Sequence, residues 1–109
     1  MAANCIPISQ ISPFATSWRL EGARVRAKTL MRTTITDEHT KDRFSVDLMD
    51  GTGDIRATFW GAAAEGAFES LEVDKWYSLP GGRVVIAKRD FNNTSHDYEM
   101  HYNLSLIHI

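Results

Sequence analysis

Cysteine is almost missing from this chain. Cys5 is the only one in 109 residues, so no disulfide can close within it and a zinc site has no thiolate set to rest on. That scarcity fits a reducing compartment. No apolar run approaches the ~20 residues that a membrane-spanning helix needs, so no membrane partner is expected. The opening MAANCIPISQ lacks a basic stretch followed by an apolar one and does not read as a secretory signal. There is no internal repeat, no low-complexity tract, no glycine-rich phosphate cradle opening a helix and no nucleophile motif. The net charge is only −2, which argues against a surface coated in positive charge.

What is present is an ordinary globular composition, 43% hydrophobic and 24% charged, in a chain long enough for one core and not two. The charge is unevenly spread. Arg19, Arg24, Arg26, Lys28 and Arg32 stand against Glu21 alone, and Arg83, Lys88 and Arg89 have no acid among them. Between Gly61 and Leu79 the balance reverses, with Glu65, Glu69, Glu72 and Asp74 against Lys75. A fold that joins the two basic segments has a basic groove on a faintly acidic body; otherwise these are solvated charges scattered over a surface.

Residues 1–13, carrying Pro7 and Pro13, read as a lead-in with little regular structure, and residues 14–109 as one domain. WRLEGARVRAK, from Trp18 to Lys28, alternates as a strand with Gly22 as a bend or bulge. Leu30 to Arg43 is polar and reads as a long loop. Phe44 to Met49 is a second strand, and Asp50-Gly51-Thr52-Gly53 turns the chain into a third, GDIRATFW. Ala62 to Leu71 is the one helix, with Ala64, Phe68 and Leu71 spaced three and four apart. Val73 to Leu79 and Arg83 to Lys88 are β-rich pieces joined by Pro80-Gly81-Gly82, and Tyr98 begins a last strand. Short strands with a single helix between the third and fourth are the plan of an all-β, five-stranded OB-fold barrel. In that fold strands two and three and the loops joining strands 1–2 and 4–5, here Leu30–Arg43 and Arg89–Asp97, bind single-stranded nucleic acid or oligosaccharide.

GDIRATFW puts Ile55, Ala57 and Phe59 on one face and Arg56, Thr58 and Trp60 on the other. The first set is a core face. The second pairs a cation with a flat aromatic, the combination on which single-stranded nucleic acid is held: bases stack on the ring and phosphates follow the charge. Phe91, amid Lys88, Arg89, Asn92 and Asn93, is a second aromatic with no evident core to fill.

At these residues the sequence resembles the first high-affinity DNA-binding OB domain of the large subunit of eukaryotic replication protein A. The resemblance runs from about Ile6 to Asn103 and is carried by Pro7-Ile8, Ile11-Ser12-Pro13-Phe14, Trp18, Ala23-Arg24-Val25, Gly53 to Thr58, Ile86-Ala87, Phe91 and Asp97-Tyr98-Glu99-Met100. It implies stacking platforms at Trp60 and Phe91 and contacts to backbone and bases from Arg32, Arg56 and Glu99. Glu99 fits a phosphate groove only as an acceptor for a base amine such as cytosine N4, or as the ion-pair partner of a neighbouring arginine. It also implies a nuclear protein acting in replication, repair and recombination, with other subunits of a heterotrimer reached through domains outside this chain. A telomeric role stays open.

The departures are specific. The loop tip Thr36-Asp37-Glu38-His39 is acidic where the family carries Ser, Arg and Gly, and Thr34 stands where it has tryptophan. Val85 replaces a fourth-strand lysine, for which Arg83, on the same face, is the substitute, and Arg83 or Lys88 is expected on one cationic strip with Arg32 and Arg56. The tail 104–109 does not match the family's polar continuation. Asp47, Asp50 and Asp54 raise a metal nuclease as a rival, but aspartates beside a hairpin turn serve local hydrogen bonds. His39, His96, His101 and His108 lack ligand spacing and read as surface histidines. No catalysis, metal or cofactor is expected. The competing class is an OB barrel used for protein contacts or for binding RNA as an anticodon domain.

Overall fold

The computed structural model describes residues 4–15, 18–35, 40–88 and 94–103. Among them lie eight strands: β1 (Asn4–Cys5), β2 (Trp18–Lys28), β3 (Arg32–Ile35), β4 (Thr40–Asp50), β5 (Gly53–Trp60), β6 (Trp76–Pro80), β7 (Arg83–Ile86) and β8 (Tyr98–Tyr102). One helix, α1 (Ala62–Ala67), separates β5 from β6. The expected count of five is therefore corrected. Two short strands, β1 and β3, were not anticipated, and the fourth strand is split into β6 and β7.

The two surprises have different causes. Pro7 does not prevent Asn4–Cys5 from pairing in parallel with Trp18 and Arg19, because the proline follows the paired residues. Ile8, in a short 3-10 turn, and Ile11 are buried in the common core. The second is the segment read as a long loop. It forms a hairpin in which Arg32 to Ile35 pair with Thr40 to Arg43, extending β4 four residues before Phe44.

β2 shows how one strand serves three neighbours, β1, β4 and β6. Leu20 and Ala23 are both buried, although a regular strand puts residues three apart on opposite faces. An irregularity between them supplies the extra residue, and Gly22 takes φ +68°, as a glycine readily can. β2 pairs with β6 on both sides of the bulge, from Arg19 to Arg24, and with β4 from Arg24 to Lys28.

The remaining ladders run β4–β5, β5–β8 in parallel, and β8–β7. No ladder joins β6 to β7 among the described residues; the chain crosses from one to the other through Gly81-Gly82. There is no room here for a side chain. A Cβ on Gly81 would lie 2.8 Å from the Trp18 carbonyl oxygen, and one on Gly82 2.9 Å from the Tyr102 ring.

Inside, Phe59 stacks between Phe44 (5.0 Å between centroids) and Tyr102 (4.9 Å). Ala63, Ala64 and Ala67 close the interior with no exposed surface. The helix stops at Ala67, short of the Leu71 expected, because Gly66 weakens its last turn. Leu71 is buried all the same, its amide reaching the Ala67 carbonyl.

Asp50 ties the β4–β5 turn to the lead-in. Oδ1 accepts from the Thr52 amide (2.7 Å), the Thr52 hydroxyl (2.6 Å) and the Gly53 amide (3.2 Å), and Oδ2 from the Ile8 amide (2.9 Å). Burial alone pushes this carboxyl up, but those hydrogen bonds together outweigh it and hold it below its ordinary value of 3.8. A carboxyl lowered on folding stabilises the fold above its unfolded pKa and loses that contribution as pH falls through the folded one. Urea melts of the wild type should thus show stability dropping below about pH 4, and Asp50→Asn should lower stability at neutral pH and make that drop shallower. An unchanged acid limb in the variant would refute the linkage.

Candidate nucleic-acid interface

The ladders line up side chains in transverse rows, since directly opposed residues project to the same face. In one row Arg32 of β3 faces Arg43 of β4, which faces Trp60 of β5. In the next, Ser45 faces Thr58, Thr58 faces His101, and His101 faces Arg83. Further along, Asp47 faces Arg56. Most of these residues, with Lys88 and Glu99, line a groove of about 340 Å³.

Trp60 sits at the centre of the groove's contacts. It is half-buried, its indole N–H donates to Nδ1 of His101 at 3.0 Å, and the two rings lie 6.0 Å apart at 20°. The Arg43 guanidinium stands 5.5 Å from the indole centroid, within cation–π range. Arg32 and Arg43 oppose each other directly and both are exposed. Like charges placed so destabilise a hairpin, and an anion lying between them relieves the repulsion.

Arg56 is less of a solvated cation than its sequence position implied. Its Nε donates to Asp47 Oδ1 at 3.0 Å, and Asp47 is only 6% exposed. Glu99, equally buried, accepts a hydrogen bond from His101 Nε2 at 2.8 Å. Lys88 is exposed on the groove wall. Arg83 shares the face of His101 but stays outside the groove lining. Phe91, the acidic tip 36–39 and the tail 104–109 lie outside the described residues.

Sequence reasoning missed Arg43 and His101. Arg43 ends the stretch that reads as a loop, although Arg43, Ser45 and Asp47 alternate against the core residues Phe44, Val46 and Leu48. His101 reads in sequence as a surface histidine; in the structure it is hydrogen-bonded on both nitrogens.

The first basic segment is also corrected. Of its five cations only Arg32 lines the groove. Arg19 pairs with Glu21, Arg24 meets the Met49 sulfur, Arg26 bridges Asp54 (2.9 Å) and Asp47 (3.8 Å), and Lys28 donates to the Phe68 carbonyl. The three aspartates of the nuclease alternative are occupied as well: Asp47 by Arg56 and Arg26, Asp50 by its turn, Asp54 by Ser95 and Arg26.

A coiled sheet with one short helix and an aromatic, arginine-lined groove across β4, β5 and β8 defines an OB-fold binding domain. Comparison with known proteins narrows the class. The chain is 33% identical over 101 residues to the 70 kDa DNA-binding subunit of replication protein A from Xenopus laevis and 34% identical over 101 residues to that of Mus musculus, each match covering 93% of this chain. It spans 16% of the length of either relative. It superposes on the solution structure of DNA-binding domain A of S. cerevisiae replication protein A with a TM-score of 0.73 at 30% identity, covering 91% of this chain and 86% of that one. On a replication protein A heterotrimer bound to single-stranded DNA the TM-score is 0.84 at 32% identity, covering 89% of this chain and 22% of that one. No family model matches. The chain belongs to the family of replication protein A DNA-binding domains.

Proposed function

We propose that this domain binds single-stranded DNA with little sequence preference, as a binding module without catalytic activity. The observation that carries the reading is the row Arg32–Arg43–Trp60: a stacking surface with two exposed guanidinium groups at the same level of the groove. Bases stack on Trp60 regardless of identity, because every base has a π-face, and the arginines with Lys88 follow the phosphates. Phe91 is the second platform and Arg83 extends the cationic face beyond His101. Arg56, held by Asp47, presents a fixed direction to its ligand, and Glu99 accepts from a base amine. By family membership the setting is the nucleus, in replication, repair and recombination, alongside other subunits of a heterotrimer contacted through domains outside this chain.

Fluorescence anisotropy with labelled single-stranded DNA, duplex and RNA at two salt concentrations tests this. Single-stranded DNA should bind best, with affinity falling steeply as salt rises because counterions are released. Lys88→Ala should weaken all sequences alike and reduce the salt slope by about one. Salt-insensitive binding, or a preference for duplex, would overturn the proposal.

A further inference from the structure

We infer that His101 is a positioning residue for the Trp60 platform, acting through a three-member chain from Trp60 to His101 to Glu99; the inference rests on the single-stranded DNA reading above. The hydrogen bonds have one consistent direction. An indole nitrogen can only donate, so His101 Nδ1, 3.0 Å away, is the acceptor and carries no proton. The proton of the neutral ring is then on Nε2, where it is donated to Glu99 Oε1 at 2.8 Å. Glu99 is 6% exposed and thus held in place itself. A buried carboxylate selects the imidazole tautomer, and that tautomer grips the indole.

Two further contacts brace the arrangement. His101 faces Thr58 across the β5–β8 ladder, and Thr58 shares a 2.9 Å hydrogen bond with Ser45, so the residues beside the ring are themselves tied. The two rings lie near-parallel at 20°, edge to edge across the hydrogen bond, so a swing of the indole about its Cβ would break it. A half-buried tryptophan without such a partner must be ordered when the base arrives. Here the ordering is done beforehand, which raises affinity without adding a contact to the ligand.

The test uses the 109-residue chain. His101→Phe keeps a flat ring and removes the acceptor; His101→Val, a β-branched replacement suited to a strand, is read alongside in case the larger ring is not accommodated. In ¹H–¹⁵N spectra of the free protein, the Trp60 indole peak, assigned by its loss in Trp60→Phe, should shift and exchange faster with water in either variant, while those of Trp18 and Trp76 stay in place. Affinity for labelled oligothymidine should fall about threefold to tenfold in either His101 variant. In the Trp60→Phe background, which keeps a platform but has no N–H to hold, the same change should cost less than about twofold. An unmoved indole peak, or equal losses in both backgrounds, overturns the positioning role. Absence of wild-type oligonucleotide binding would instead overturn the functional reading, and the indole peak would still decide whether His101 holds the ring.

Discussion

Trp60→Ala is expected to weaken single-stranded oligonucleotide binding by roughly 1–3 kcal/mol, on the order of 5- to 150-fold, across all base compositions. The fold should survive. Trp60 is half-buried and its partners Arg43 and His101 belong to the groove, whereas the core is filled from the opposite face of β5 by Ile55, Ala57 and Phe59, all with no exposed surface. Loss of stability should stay near 1 kcal/mol, the ordinary cost of a non-core substitution. A packing role predicts the reverse: a loss of roughly 3–5 kcal/mol in stability, with binding preserved at low temperature. Anisotropy and thermal melting on the same preparation separate the two outcomes, and a variant that melts early but binds normally in the cold would remove Trp60 from the site.

One residue earlier the expectation inverts. Phe59→Ala should cost roughly 3–5 kcal/mol of stability, because the ring lies between Phe44 and Tyr102 and its removal leaves both stacking partners facing a void. Set against a total stability of roughly 5–15 kcal/mol for a domain, that is a large fraction, and it corresponds to a fall in melting temperature on the order of 20 °C. Circular dichroism melting measures it. Oligonucleotide affinity, taken well below the lowered transition, should change little. A fall of only a few degrees would mean the neighbours collapse into the space and that the aromatic stack is not what fixes the core.

The contrast between these two neighbours was legible in the sequence, because GDIRATFW alternates cleanly and one of its faces is wholly apolar. The same period identified β2, including the glycine at its bulge. β3 was not legible for a physical reason. Arg32, Thr33, Ile35 and Arg43 of its hairpin are all exposed, so neither face is buried and no hydrophobic alternation marks it. The cations show a different limit. Arg24, Arg26 and Lys28 look in sequence like a basic track, yet they are turned to Met49, to Asp54 and Asp47, and to Phe68. Which cations reach the groove is settled by ladder register, and register between β5 and β8 joins residues about forty apart, beyond any local pattern. His101 was lost the same way: its partners Trp60 and Thr58 are its neighbours only once that ladder forms.

The order of pairing along the chain also governs how the protein comes to be folded. β2 waits for β6, with Glu21 and Ser78 meeting across 57 residues, and β5 waits for β8. Both closures are non-local, and such topologies fold in milliseconds to seconds, not microseconds, because loop entropy is lost before contacts compensate for it. During synthesis at roughly 5–20 residues per second, the ribosome takes roughly 2–8 s to go from Trp60 to Tyr102. Over that interval the β5 edge that will receive Met100 and Tyr102 is open, and an open apolar edge is a template for another chain. The parallel ladder that completes the groove is also the last shield against self-association in the nascent protein.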